Sequence, residues 1–124
     1  MRWWWIFVAG GAGSLLRVAV VEWFGARSVG HFPWGVLAVN TLGCFAIGLL
    51  VALVEGRLAL APGARTALQA GLLGGLTTFS AFGLDTIRLV ESGEYGLAVL
   101  NGAGNLGLGF VAVVLGLSLG RGLG

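Results

Sequence analysis

Four runs of apolar residues, each long enough to cross a lipid bilayer, take up almost the whole chain: Trp3 to Phe24, Trp34 to Val54, Ala64 to Val90 and Tyr95 to Leu119. A spanning helix needs about 20 such residues. Once in hydrocarbon, its backbone must satisfy its own hydrogen bonds, which a helix does. The connections are too short for a soluble domain. The reading is therefore all-α: one four-helix transmembrane domain over residues 1–124. Charge agrees, since only 10% of residues are charged, against roughly 25% in an ordinary soluble domain.

The opening "MRWWWIFVAGGAGS" has one basic residue, a short apolar run and then small residues, which is also the pattern of a cleaved signal peptide. Arg17 follows closely, and cleavage would delete a whole span, so the segment is read as the first helix.

The same composition excludes several functions. The net charge of +2 comes from seven Arg scattered among five acids, with no basic run, so nucleic-acid binding has no support. Cys44 and His31 each stand alone and cannot build a disulfide or an ordinary zinc site. No Ser is grouped with a His and an acid, no carboxylates are paired at a useful spacing, and "GGLTTFS" lacks the Lys of a phosphate-binding loop. An enzyme is not expected.

Twenty-four residues are Gly. In lipid, small residues let helix backbones approach closely. The four-residue spacings Gly71/Gly75 and Gly116/Gly120 predict helix contacts. Trp3, Trp4, Trp5 and Trp34 fit interfacial belts, and Pro33 precedes a helix start, where a missing N–H costs little.

The third run is unusual. "TALQAGLLGGLTTFSAFGLDTIRLV" is long for one straight span and carries two Gly and three hydroxyl residues midway. A break near Gly74 to Thr78 divides it into two half-helices. Irregular backbone at membrane depth is tolerated only where protein or water meets it, and its freed carbonyls can hold a cation. Other polar residues in the spans are few. Arg17 is either paired or snorkelling, or lines an aqueous entrance. Asn40 makes an interhelical hydrogen bond or lines a pore. Asn101 and Asn105 share one helix face, as a helix contact or a polar track.

"GGAGSLLR", "GVLAVNTLGCFAIG" and "GLLGGLTTFSAF" together resemble the Fluc (CrcB-type) fluoride channels, in order, spacing and chain length. The resemblance implies an antiparallel, dual-topology dimer of four-helix subunits with two fluoride pores, passively exporting fluoride from a bacterium through its inner (plasma) membrane. It implies a structural sodium ion at the dimer centre, held by backbone carbonyls of Gly74 and Thr77. The pore residues it implies are Asn40, Phe79, Ser80 and Phe82, with Asn101 and Asn105 as a polar track, and Arg17 matches the first-span Arg. Ala81, Asp85, Asn101 and Asn105 depart from the common pattern, where Thr, Glu, Tyr and Ser are frequent.

The chemistry suits the anion. Fluoride is strongly hydrated, so a pore must replace water with N–H and O–H donors, and aromatic ring edges are electropositive. The competing expectation is a small proton-coupled multidrug transporter, also an antiparallel four-helix dimer, for which Asp85 is the one candidate carboxylate. A scaffold whose glycines only pack helices is the third. Arg2, Arg57, Arg65 and Arg121 lie on the N-terminal side and Arg27 and Arg88 opposite, a small bias toward N-terminus inside. Dual topology predicts a homodimer; a fixed orientation would make the chain half of a heterodimer.

Overall fold

The computed structural model describes residues 2–123, and these are helical with short connections. Helix α1 spans Arg2–Arg27, α2 spans Trp34–Glu55, α3 covers residues 62–76, α4 spans Phe79–Glu91 and α5 spans Tyr95–Leu123. Four helical segments are long and apolar enough to cross a membrane, with α3 and α4 together forming the third. The helices run slightly past the apolar runs because their hydrogen-bond ladders continue into the charged ends at Arg2, Arg27, Glu55 and Glu91.

The chain runs up and down four times, so both described ends lie at one face of the bundle. α5 packs chiefly along α2, and α1 along α3. Both seams are made by glycine. A Cβ on Gly75 would sit 2.5 Å from the Gly10 carbonyl oxygen, and one on Gly120 would sit 2.6 Å from Ala52 Cβ. The four-residue glycine spacings thus mark true helix contacts. Val39, Leu73 and Leu76 form the buried centre, with Val20, Ala46, Ile47 and Leu50 around it. The exposed Trp3, Trp4, Trp5 and Phe7 face outward, as lipid-facing residues do.

The third span departs from a plain pair of half-helices. Within α3, Pro62–Thr66 is α-helical, Ala67–Leu73 is π-helical and Gly74–Leu76 is α-helical again. The Gly74 N–H reaches back to the Gln69 carbonyl. This widened stretch was not expected from the sequence. It packs closely against α1, where a Cβ on Gly71 would sit 3.0 Å from the Ile6 carbonyl oxygen. A π turn of this kind commonly marks a functional site.

At the other face, α4 ends in a Schellman turn. Gly93 has φ +77, its N–H bonds the Val90 carbonyl, and the Glu94 N–H bonds the Leu89 carbonyl at 2.9 Å. That turn sends α5 straight back along α4. There His31 Nδ1 lies 2.8 Å from Glu94 Oε2, tying the α1–α2 loop to the α4–α5 turn. The His31 side chain is 72% exposed, and exposed pairs contribute little. His31→Ala is expected to change stability by no more than about 1 kcal/mol, measured by thermal melting in detergent.

Candidate pore and helix break

The break falls at Thr77 and Thr78, whose backbones are extended (ψ 155 and 116) between two helical segments. It lies midway along the Pro62–Glu91 span. Thr78 caps α4, its Oγ1 accepting the Ala81 N–H at 3.1 Å. An extended residue whose hydroxyl takes an orphan N–H is what a helix start requires. The Thr78 N–H, which in an unbroken helix would close onto Gly74, donates instead to Asn40 Oδ1 at 2.8 Å. The Ala81 N–H is likewise diverted from the Thr77 carbonyl. The break therefore releases the carbonyls of Gly74 and Thr77 from the helical ladder. Three nearby carbonyls are engaged, the Thr78 carbonyl by Asn40 Nδ2. The Leu73 carbonyl accepts from the Thr77 N–H and hydroxyl, and the Gly75 carbonyl accepts from Arg17 Nε at 3.0 Å.

Asn40, on α2, is the centre of the polar arrangement. Its Nδ2 donates to the Thr78 carbonyl at 3.2 Å and to Asn105 Oδ1 at 3.0 Å. Asn105 Nδ2 donates to the Asn101 carbonyl and to Asn101 Oδ1, at 2.8 and 3.0 Å. Asn101 Nδ2 donates to Thr86 Oγ1 at 2.9 Å, and the Thr86 hydroxyl donates to the Phe82 carbonyl at 2.7 Å. One continuous line of hydrogen bonds thus joins the break, α2, α5 and α4. Nothing in it is charged. Asn101 is completely buried, which an amide tolerates only with partners.

Beside this line a groove of about 390 Å³ opens on the protomer surface, lined by Asn40, Cys44, Thr78, Phe79, Phe82 and Asn105 among others. Gly74 and Thr77 also border it. The Phe79 and Phe82 rings lie 5.7 Å apart at 58°. Phe79 is 81% exposed, which puts its ring at the groove mouth.

The structure thus brings Asn40, Phe79, Phe82, Asn105, Gly74 and Thr77 to one place, with Asn101 beneath. Ser80 is exposed and outside the groove, its Oγ 3.3 Å from Thr78 Oγ1. Arg17 is also outside it. Of the alternatives open for Arg17, the structure displays pairing, to the Gly75 carbonyl. Asp85 lines a separate cavity of about 140 Å³ near the loops, with His31, Arg88 and Glu94. Sequence reasoning missed Thr86. Its signal was the 79, 82, 86 spacing, which places Thr86 on the same helix face as both rings. Thr41 Oγ1, next to Asn40, is buried without a partner among the described residues.

Comparison with known proteins agrees with this architecture. The family model described as CrcB-like protein, Camphor Resistance (CrcB), matches residues 4–117. The fluoride-specific ion channel FluC 1 of Symbiobacterium thermophilum is 46% identical over 123 residues, covering 98% of this chain and 99% of that one. The fluoride-specific ion channel FluC of Agrobacterium fabrum is 44% identical over 118 residues, covering 95% and 94%. That of Acidobacterium capsulatum is 38% identical over 121 residues, covering 98% and 97%. These relatives are named as ion channels, not enzymes. With four helices of membrane-spanning length and this near-complete match, the chain is an integral, multi-pass membrane protein of the CrcB family.

Proposed function

We propose that this protein is a fluoride-selective channel that lets fluoride leave a bacterial cell passively across the inner membrane. The observation that carries the reading is the uncharged line of amides and hydroxyls from Thr78 to Thr86, beside two phenylalanine rings. Its N–H and O–H groups donate to one another and would exchange those partners for a passing anion, and ring edges add weak positive potential. A fixed positive charge in the path would hold the anion too long, since conduction needs binding weak enough to release. The names of the relatives supply the identity of the ion.

The working unit is a dimer of antiparallel copies with two pores, one per groove. The support is that Gly74, Phe79 and Ser80, at the broken midpoint of the third span, are exposed on the single protomer. Lipid cannot satisfy free backbone groups there, and a second copy of the same break can. The break carbonyls fit a structural sodium ion: those of Gly74 and Thr77 are released from the helix and are hard, neutral oxygen ligands. Two copies would present four such oxygens, and the ion would join the half-helices of both chains. Arg17, on the neighbouring Gly75 carbonyl, stands outside this set.

A proton-coupled transporter needs a carboxylate on the substrate path, and Asp85 lines the rim cavity instead. Purified protein in liposomes, read with a fluoride electrode, is expected to release fluoride and not chloride, and to lose activity when sodium is replaced by a bulky cation. Asp85→Asn is expected to retain fluoride efflux. No efflux from wild type would refute the channel. Complete loss in Asp85→Asn would favour the proton-coupled exporter.

A further inference from the structure

We propose that Thr86 is a positioning residue that sets the direction of the asparagine line, holding the Asn101 amide so that its N–H groups, not its oxygen, face α4. This rests on the channel reading above and assigns a role to a residue outside the expected pore set.

The argument follows from donor and acceptor capacity. A Thr hydroxyl has one hydrogen. Thr86 donates it to the Phe82 carbonyl, which can only accept, at 2.7 Å. Toward Asn101 it can then only accept, so Asn101 must present Nδ2, as it does at 2.9 Å. Asn101 Oδ1 is thereby turned to Asn105, which must present its own Nδ2. Asn105 Oδ1 is then turned to Asn40, which must again present Nδ2. The line ends at the Thr78 N–H, which can only donate, on Asn40 Oδ1. The two ends agree in polarity: the Thr78 N–H holds Asn40 directly, and Thr86 holds Asn101 directly. Three amides, any of which alone could turn over, are fixed by a backbone N–H at one end and a hydroxyl committed to a backbone carbonyl at the other.

The consequence is electrostatic. Asn101 sits one hydrogen bond from α4, the helix that carries Phe79 and Phe82. With Thr86 in place, that side of the amide is N–H. With Val there, the acceptor is gone, the buried Asn101 N–H loses its partner, and the amide is held only from the Asn105 side. The dependence on Thr86 arises from the Asn101 amide, whose Nδ2 donates to it.

The test is initial fluoride efflux from liposomes for Thr86→Val, Thr86→Ser, Asn101→Ala and the Thr86→Val/Asn101→Ala double variant, with folding checked by gel filtration and melting. Loss of the anchor is expected to slow efflux roughly tenfold. Ser, which keeps the hydroxyl, is expected to recover most of it. Without Asn101 there is no amide to hold, so adding Thr86→Val is expected to change the rate by less than about twofold, the non-additivity of residues acting as one unit. Thr86→Ala replaces Thr86→Val if the latter does not fold. Efflux of folded Thr86→Val within twofold of wild type, a Ser variant no better than Val, or independent multiplying losses with Asn101→Ala would overturn the proposal while leaving the channel reading intact. Absence of fluoride efflux from wild type would remove both.

Discussion

Asn40→Asp is expected to cut fluoride efflux about 100-fold while the protein stays folded. The substitution is nearly isosteric, so packing is preserved. The carboxylate still accepts the Thr78 N–H, which Asn40 Oδ1 accepts at 2.8 Å. Everything else reverses. Nδ2 makes two donations, to the Thr78 carbonyl and to Asn105 Oδ1. An Asp oxygen there would set lone pair against lone pair twice and place a negative charge beside the groove. Two unmade hydrogen bonds and a like charge together amount to about 3 kcal/mol or more, and each 1.4 kcal/mol is about tenfold. Efflux of purified, monodisperse Asn40→Asp in liposomes checks it. A rate equal to wild type would remove Asn40 from the path.

The second large effect is structural. Gly13→Ala is expected to prevent accumulation of folded protein, and Gly11→Ala, two residues earlier, is expected to be harmless. A Cβ on Gly13 runs into the Leu72 carbonyl oxygen and comes within 3.0 Å of the Leu72 carbonyl carbon and the Leu76 N. All three are backbone atoms and cannot rotate away. The cost is that of overpacking, about 3 kcal/mol, and it falls on the α1–α3 seam directly before the break. Displacing α1 there also withdraws Arg17 from the Gly75 carbonyl. At Gly11 an added Cβ meets nothing within 4 Å, so the change is expected to stay within about 0.5 kcal/mol. Yield of monodisperse protein and melting temperature in detergent distinguish the two. Similar yields would mean that the seam is loose enough to part.

Much of the site was legible because the properties concerned are local. The 79, 82 spacing puts both phenylalanines on one helix face whatever surrounds them, and Asn101 and Asn105 share a face for the same reason. Arg17 was not legible in this way. Its partner, the Gly75 carbonyl, lies 58 residues away, and a long side chain near a helix middle has several ways to reach a polar group. Ser80 shows the opposite case. Its place beside the rings in the chain suggested a pore hydroxyl; successive helical residues point about 100° apart, and on the single protomer Ser80 is exposed and outside the groove.

By itself, the sequence determined that this chain is a membrane bundle of four spans with the third interrupted near Gly74 to Thr78. Lipid offers no hydrogen bonds, so length, apolarity and a misplaced cluster of glycine and hydroxyls admit few other solutions. Only the tertiary structure decided what the break exposes and which way the asparagines face. The diversion of the Thr78 N–H to Asn40, 38 residues away, and the donation of Asn101 to Thr86, 15 residues away, depend on how α2, α4 and α5 meet. An amide carries donor and acceptor on one carbon. Its sense in a network is therefore set by the groups at the network's ends, and folding alone brings those ends together.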